Sequence, residues 1–371
     1  MISLKLIMDF GVELTKCVVV YNKDYIIFDV NSQFATVSSV NDTLLQSYSP
    51  YDSYILNVDS AINGNKILGE FVNGELQKKE FLASNESLKF TKSKTKKYKQ
   101  DVIILILQLA IFKAYQQIKL KYNVDDSSLL VDFVFLFNKN EIAEAKSCLN
   151  TLIHEITTVN TVFPKDTISV QCNSIKYFPK GYSALASCLF NTDKTYNKAN
   201  KQYLGQKIIV LDIGTLESSC IVSNNNSLVD YYYNYPYGLD KILVNIRTNL
   251  LLEGNVIKVD DIIDFTRTGD SVYKASLIKN ISIELNRFFA DFLNSLTQDL
   301  NNNSIDFSTM QTILVCGKVL IFDDIENIIT SIVNEKLNKN FNLVKIPDLS
   351  DIELKSTDLN ILGACILSDF I

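Results

Sequence analysis

One short pattern occurs twice in this chain and constrains its fold more than any other feature. "LIMDFGVELTKCVVVYN" begins at Leu6, and "IVLDIGTLESSCIVSNN" begins at Ile209. The Asp, the Gly that follows it, the Cys and a Val recur at a constant separation of 203 residues. Each copy is an apolar run that breaks at Asp-x-Gly and then resumes, which predicts a strand, a tight turn and a second strand. The repeat therefore predicts two similar halves.

Length and composition agree with two halves of mixed α/β structure. The chain has 371 residues, of which 47% are hydrophobic and 21% charged, so large buried cores are expected and global disorder is not. The net charge of −6 predicts no general attraction to nucleic acid or to an anionic membrane. Seven cysteines without a CxxC pair predict reduced thiols and a cytoplasmic location.

Two apolar segments raise the question of a membrane. The N-terminal "MISLKLIMDF" is too short and too soon acidic for a signal peptide. "DVIILILQLAIF" has 12 residues, against the roughly 20 that a membrane span needs. We therefore expect it to form a buried helix.

Hydrophobic periodicity divides the chain near residue 200. The first domain is predicted at 1–200, with a small strand-rich insertion at about 31–95, and the second at 201–371, with a small insertion at about 238–272. The basic run "TKSKTKKYKQ" at 91–100 is typical of a solvated loop, although it could also contact an acidic partner or a filament neighbour. His154, the only histidine, is expected to be an ordinary helix residue.

The repeated turn has the residue types that bind nucleotide phosphates. Glycine at Gly11 and Gly214 lets backbone N–H groups approach phosphate oxygens closely. A carboxylate at the strand end, Asp9 or Asp212, can hold a hydrated Mg²⁺ through its waters. Two such hairpins that face each other would hold the β- and γ-phosphates from both sides, which is much of what phosphoryl transfer requires.

These motifs and their order resemble those of the actin-like ATPase superfamily, which includes actins, heat-shock chaperone ATPases and sugar kinases. Asp9-Phe-Gly11 with Lys16 resembles the first phosphate loop, and Asp212-Ile-Gly214-Thr215 resembles the second. "ILVCGKVL" at 313–320 is similar to the adenosine motif, with Cys316 in place of its first Gly. "DLNILGACIL" is similar to the helix that closes the second domain. The resemblance covers nearly the whole chain.

The resemblance implies an α/β fold of two similar actin-like (ribonuclease H-like) domains. Each would have a mixed five-stranded sheet flanked by helices, with a nucleotide cleft between the domains. It implies ATP or GTP with Mg²⁺ as the ligands. Asp9 and Asp212 would be the catalytic carboxylates and would hold the metal through water. The nucleotide would contact the remaining motif residues, which are Gly11, Lys16, Gly214, Thr215, Gly317 and Lys318.

Within the superfamily the chain most resembles the bacterial plasmid-segregation actins. "YYYNYPYGLDKILVNI" and "IKYFPKGYSALAS" are similar to their corresponding passages. This resemblance implies an ATPase that forms filaments with itself and binds a small DNA-binding adaptor protein on plasmid DNA. It implies no direct contact with nucleic acid and none with a membrane.

Two departures from the family pattern affect the predicted chemistry. Val12 and Glu13 occupy the first loop, where the family usually has Ser, Thr or Gly. Lys180 stands where the family has the Gln or Glu that orients the attacking water, so either hydrolysis is slow or another side chain orients the water. A small-molecule kinase of the same fold, or another cytoskeletal or divisome actin homologue, remains an alternative.

Overall fold

The structure is a computed structural model that describes most of the chain. The described residues are 1–11, 14–31, 35–36, 53–57, 71–72, 75–76, 80–84, 100–163, 165–223, 229–303, 305, 310–322, 325–347 and 356–369. They form two compact units, Met1–Phe178 and Pro179–Ile371, each with its own sheet and its own buried core. The predicted boundary at residue 200 stays a prediction, and the two units divide earlier, between Phe178 and Pro179.

The first unit contains one large sheet and two long helices. Its strands are β1 Ile2–Asp9, β2 Leu14–Tyr21, β3 Asp24–Asn31, β4 Ala35–Thr36, β5 Ser53–Asn57, β6 Phe71–Val72, β7 Glu75–Leu76, β8 Glu80–Ser84, β9 Ser128–Phe137, β10 Thr158–Phe163 and β11 Lys165–Pro179. Its helices are α1 Gln100–Tyr122 and α2 Ile142–Glu155. The two strands predicted at the first copy of the repeat, β1 and β2, and the buried helix predicted from "DVIILILQLAIF" are confirmed. The basic run at 91–100 lies outside the described residues except for Gln100.

The strand order of the first sheet is β3-β2-β1-β9-β11-β10-β5-β8-β4 among the described residues. β1 pairs antiparallel with β2 and parallel with β9, so the sheet is mixed. Its first five strands are the predicted five-stranded set. The sheet is wider than predicted because β10 continues it into strands from the 31–95 segment.

The second unit contains a five-stranded sheet and six α-helices among the described residues. Its strands are β12 Ile208–Ile213, β13 Ser218–Ser223, β14 Val229–Tyr235, β15 Thr312–Gly317 and β16 Asn342–Leu343. Its helices are α3 Tyr182–Leu189, α4 Leu239–Leu252, α5 Val259–Thr268, α6 Lys274–Asn302, α7 Ile325–Leu337 and α8 Leu359–Ser368. Single-turn 3₁₀ segments cover Lys201–Tyr203, Lys318–Ile321 and Ser356–Asp358.

The second sheet repeats the strand order of the first. Its order is β14-β13-β12-β15-β16, with β12 antiparallel to β13 and parallel to β15. In each unit a three-stranded antiparallel meander is followed by a strand that returns parallel to the first one. The sequence repeat therefore corresponds to a repeat of topology, and the prediction of an α/β fold with two similar halves is confirmed.

Helix α6 covers one side of the second sheet with a long apolar face. Phe288, Phe289 and Phe292 are buried along it, and the Phe292 ring lies 5.2 Å from the Tyr235 ring of β14. Fully burying such a side chain contributes roughly 1.5–3 kcal/mol. The insertion predicted at about 238–272 contains helix α5, which buries Ile262 and Phe265 in the same core.

A buried carboxylate joins α4 to α6. Glu284 is 1% exposed, and its two oxygens accept hydrogen bonds from the Asn245 amide at 3.0 Å and the Asn249 amide at 2.9 Å. The Arg287 guanidinium donates to the same carboxylate at 2.6 Å and balances its charge. Because buried charges are costly unless they are paired, this cluster fixes how the two helices align.

Helices α3 and α8 approach so closely that their backbones touch. A Cβ atom added at Gly363 of α8 would lie 1.6 Å from the carbonyl oxygen of Ser183 in α3, a distance no side chain can adopt. Glycine is therefore required where these two helices cross. All ten residues of α8 are buried, which fits its nearly continuous apolar sequence.

Candidate functional site

The two Asp-x-Gly hairpins are equivalent in strand register as well as in sequence. Asp9 lies opposite Lys16 in the β1–β2 pair, and Asp212 lies opposite Ser219 in the β12–β13 pair. The separation of 203 residues holds for both members of each pair. Each Asp thus occupies the same place, at the end of the central strand just before the turn.

In the second unit the turn itself is described, and helix α4 holds it from one side. The Gly214 N–H donates to the Glu217 carbonyl at 3.0 Å and closes the turn. The carbonyls of Gly214 and Thr215 accept hydrogen bonds from the Leu239 and Asp240 N–H groups, each at 2.9 Å. The first N–H groups of α4, which have no partner within the helix, therefore bind the turn.

Gly238 makes this close contact between helix and turn possible. A Cβ atom at this position would lie 2.5 Å from the Gly214 carbonyl oxygen and 2.7 Å from the Thr215 carbonyl oxygen. Any larger residue would push the helix away from the turn. The Ser218 hydroxyl adds a further bond by donating to the Tyr237 carbonyl at 2.7 Å.

The fixed carbonyls determine where the N–H groups of the turn point. In a trans peptide the C=O and the following N–H point in opposite directions. Because the Gly214 and Thr215 carbonyls face α4, the N–H groups of Thr215 and Leu216 point away from α4. Leu216 is 36% exposed and Thr215 is partly exposed. Two successive N–H groups with this orientation suit an anionic ligand such as phosphate.

Asp212 lies next to this turn in a nearly closed environment. Its side chain is buried to 7% exposure, and its Oδ2 accepts a hydrogen bond from the Asn360 amide at 2.9 Å. The Cys316 thiol lies in the paired position on β15 and also forms a hydrogen bond with the carboxylate. The pKa of this thiol is well above its usual value, mainly because the thiol is buried and secondly because the Asp212 charge is close. Both contacts restrict the orientation of the carboxylate.

Gly317 completes this environment. It has φ of 93°, which favours glycine, and a Cβ atom there would lie 2.5 Å from Asp212 Oδ1 and 2.5 Å from the Ile213 carbonyl oxygen. The structure therefore brings Asp212, Gly214, Thr215 and Gly317 together at the ends of β12 and β15. Lys318 follows directly and begins the 3₁₀ turn Lys318–Ile321.

Sequence reasoning did not identify Asn360 as a site residue. Besides its bond to Asp212, its Oδ1 accepts a hydrogen bond from the Gly181 N–H at 2.7 Å. Gly181 is the residue before helix α3 and has φ of 67°. One sequence feature could have indicated Asn360: it is an amide near the start of the otherwise apolar segment "DLNILGACIL". In the structure Asn360 is buried, with 7% exposure.

In the first unit, Asp9, Gly11 and Lys16 lie on the equivalent hairpin. Asp9 ends β1, and Lys16 is its direct partner on β2, so their side chains project from the same face of the sheet. Both side chains are partly exposed. Val12 and Glu13 lie outside the described residues, so the departure they represent stays a sequence observation.

The donor set suits a hydrated magnesium ion better than a directly bound transition metal. Within the described part of the chain, no group of three or more His, Cys, Asp or Glu side chains is placed to hold a metal. Mg²⁺ keeps several of its waters and is usually bound through one or two carboxylates and substrate phosphates. Asp212, beside a turn whose Thr215 and Leu216 N–H groups point away from α4, fits that mode.

His154 lies apart from the phosphate hairpin of its unit. It is exposed on α2 and lines a shallow groove of about 440 Å³ together with Asn150 and Tyr177. The Tyr177 hydroxyl donates to Asn150 Oδ1 at 2.8 Å, and burial is the main reason that its pKa is raised. The prediction that His154 is an ordinary helix residue agrees with this position.

The fold defined by this repeated topology is the actin-like fold. No protein-family model matches the chain, and no curated protein matches its sequence. Among the described residues, no helix is long and apolar enough to cross a bilayer.

Solved structures with this fold match the chain along its whole length. The actin-like protein Alp7A matches with a TM-score of 0.67 and 13% identity, over 99% of this chain and 96% of Alp7A. Apo pSK41 ParM matches with a TM-score of 0.62 and 14% identity, over 100% of this chain and 98% of that one. Bacillus thuringiensis ParM with ATP matches with a TM-score of 0.62 and 12% identity, over 100% of both chains. The predicted resemblance to actin-like proteins of the ParM kind is confirmed at the level of fold.

Proposed function

We propose that this protein is an ATPase that assembles into filaments with bound Mg-ATP and hydrolyses the nucleotide there. The observation that carries the proposal is the turn at Gly214 and Thr215, which hydrogen bonds from α4 hold in place. Two N–H groups of this turn point away from α4, and the buried carboxylate of Asp212 lies next to them. Solved structures of ParM with ATP, ADP and AMPPNP have the same fold, which supports nucleotide as the ligand.

Each residue of the site has a role that its position supports. The N–H groups of Thr215 and Leu216 bind phosphate oxygens, and Gly214 keeps the turn tight. Asp212 binds waters of the magnesium ion, which neutralises phosphate charge when bound. Gly317 and Lys318 contact the nucleotide next to β15.

On the first unit's hairpin, Asp9 and Gly11 have the matching roles and Lys16 contributes a positive charge to the phosphates.

The position of Lys180 predicts slow hydrolysis. Lys180 directly precedes Gly181, so it stands at the junction between β11 and α3. An ammonium group donates hydrogen bonds but cannot accept one, and it therefore cannot take a proton from an attacking water as a carboxylate can. We expect assembly to be fast relative to hydrolysis for this reason.

Plasmid segregation is the cellular role that we propose for this ATPase in a bacterial cytoplasm. The fold shared with Alp7A and ParM supports this role. Another structure with this fold is a pCBH ParM mutant described as non-polymerisable, which supports polymerisation as part of the role. With a net charge of −6 the protein is not suited to bind DNA itself, so contact with plasmid DNA would go through a small basic adaptor.

The test combines light scattering with phosphate release in one sample after Mg-ATP is added. A fast rise in scattering, followed by slower phosphate release, is expected. Asp212→Ala should abolish both, because the variant loses the carboxylate that holds the metal waters. Asp240→Ala is a matched control, because it also removes a carboxylate next to the turn but keeps the backbone N–H that donates to the Thr215 carbonyl.

Two results would contradict the proposal. ATP-driven assembly of Asp212→Ala at the wild-type rate would remove the site assignment. Nucleotide binding by the wild-type protein without any rise in scattering would instead favour a small-molecule kinase, which a screen of acceptor alcohols would then test.

A further inference from the structure

The side-chain amide of Asn360 connects two parts of the second unit that are far apart in sequence. Its Nδ2 donates to Asp212 Oδ2 at 2.9 Å, and its Oδ1 accepts from the Gly181 N–H at 2.7 Å. Only one orientation of the amide satisfies both contacts, because a carboxylate cannot donate and a backbone N–H cannot accept. The chemistry of the two partners therefore fixes how Asn360 is placed.

Each partner of this amide is itself held in a single arrangement. A Cβ atom at Gly317 would lie 2.5 Å from Asp212 Oδ1, so β15 closes that side of the carboxylate. A Cβ atom at Gly181 would lie 2.5 Å from Ile221 Cδ1, and the φ of 67° there favours glycine. Asn360 thus connects two rigid points, the end of β12 and the start of α3.

We infer that Asn360 is a positioning residue for Asp212, and this inference rests on the function proposed above. By holding Oδ2, it prevents rotation of the carboxylate about its Cβ–Cγ bond and presents the group to the waters of a magnesium ion in one orientation. It also ties that orientation to the Lys180–Gly181 junction, where the attacking water is expected. Asn360 contacts neither the nucleotide nor the reacting atoms in this scheme.

A residue that only stabilises the fold would behave differently from a positioning residue. Loss of stability weakens nucleotide binding equally with and without magnesium. Loss of carboxylate orientation weakens only the part of the binding that depends on magnesium. The quantity that separates the two is the ratio of the ADP dissociation constant in EDTA to that in excess Mg²⁺.

The experiment measures this ratio with fluorescently labelled ADP for the wild type, N360L and L362A. N360L keeps the size of the side chain but removes both hydrogen bonds. L362A is the matched control, because Leu362 is buried in the same helix and its truncation costs stability without removing a hydrogen bond. We expect N360L to lower the ratio on the order of tenfold, as outer-shell partners do at metal sites, and L362A to leave it unchanged.

Equal ratios for N360L and L362A would overturn the inference while leaving the proposed function in place. A wild-type protein whose ADP affinity does not respond to Mg²⁺ would overturn both. These two failures are therefore distinguishable in one data set.

A second pair of variants keeps the inference testable if N360L does not fold. N360D places two carboxylates against each other, and the double variant D212N/N360D exchanges the amide and the carboxylate so that the hydrogen bond can form again. The urea midpoint should fall in N360D and recover in the double variant, which should still lack magnesium-dependent ADP binding. A midpoint that does not recover would show that the two side chains are not paired and would overturn the inference.

Discussion

The hairpins of the two units share one register but differ in what surrounds the carboxylate. Phe10 directly follows β1 and Phe137 ends β9, and their rings stack with centroids 5.1 Å apart. Beyond Asp212, the corresponding pair on β12 and β15 is Ile213 and Gly317. One unit fills the space at its strand ends with two aromatic rings, and the other has a glycine there, against which the Asp212 carboxylate packs.

This difference predicts that two equivalent positions with the same proposed role contribute to it unequally. Opposite the Asp, the first unit has the charged Lys16 and the second has the neutral Ser219. The second unit instead restrains its Asp with the Asn360 amide and the Cys316 thiol. We expect the first hairpin to contribute mainly charge to phosphate binding and the second to supply a metal carboxylate held in one orientation.

Removing the aromatic stack tests whether it is only structural. Phe137→Ala should lower the free energy of unfolding of the first unit by about 3–5 kcal/mol, because it leaves a cavity at a fully buried position. ADP affinity should change little under conditions where the variant is folded. Urea denaturation followed by ADP titration measures both, and a large loss of affinity in the folded variant would mean that the two strand ends have similar roles after all.

Adding a side chain at Gly317 tests the other half of the comparison. Gly317→Ala should cost about 3 kcal/mol of stability and reduce nucleotide affinity sharply, because the new Cβ meets both Asp212 and the Ile213 carbonyl. Gly254→Ala is the matched control, since its φ of 85° is similar but nothing lies within 4 Å of the added Cβ. The control should lose only about 1 kcal/mol, the cost of a positive φ. Equal losses in the two variants would mean that the packing against Asp212 is unimportant.

Exchanging the charged residue for its counterpart makes the first hairpin resemble the second. Lys16→Ser should weaken Mg-ATP binding about tenfold, equivalent to about 1.4 kcal/mol, and reduce the dependence of affinity on salt, because one charged phosphate contact is lost. Titrations at low and high ionic strength measure both effects. The control is Ser219→Ala, at the equivalent position in the second unit, which should leave the salt dependence of Mg-ATP affinity unchanged. If Lys16→Ser kept the wild-type salt dependence, that result would argue against a contact between Lys16 and phosphate.

Thiol reactivity gives the smallest expected effect. Cys17 and Cys220 occupy equivalent positions and are fully buried, and burial is the largest cause of the raised pKa of each thiol. Cys172 is partly exposed, so it should be alkylated before Cys17 and Cys220, at a rate that increases as pH rises and the thiolate forms. Mass spectrometry of alkylated peptides measures the order. Early modification of Cys17 but not Cys220 would reveal that the first unit opens more readily than the second.

The sequence was informative where a structural feature depends on neighbouring residues. Alternating apolar residues and the Asp-x-Gly break predicted both hairpins. The same separation of 203 residues also relates the paired residues of the two hairpins, so their strand register is the same. The contacts that complete the site were not predictable in this way. Asn360 donates a hydrogen bond to Asp212 although the two residues are 148 positions apart. Gly317 packs against Asp212 only because β15 pairs with β12, and this pairing forms when the whole sheet is assembled.

Two other expectations failed or were incomplete for the same reason. The extra strands of the first sheet depend on pairing between β10 and β5, which no local pattern indicates. Within the predicted insertion, α5 buries Ile262 and Phe265 and packs Val259 and Ile263 beside them, on a core that its own sequence does not show.

The attachment of α4 to the phosphate turn has a mechanical consequence. Helix α4 has 14 residues and is therefore about 21 Å long. Its first turn is bonded to Gly214 and Thr215, and Asn245 and Asn249 along its length are bonded to Glu284 of α6. If the turn binds phosphate as proposed, we expect a small displacement of the turn on binding to shift α4 and α6 together rather than to be absorbed within the turn.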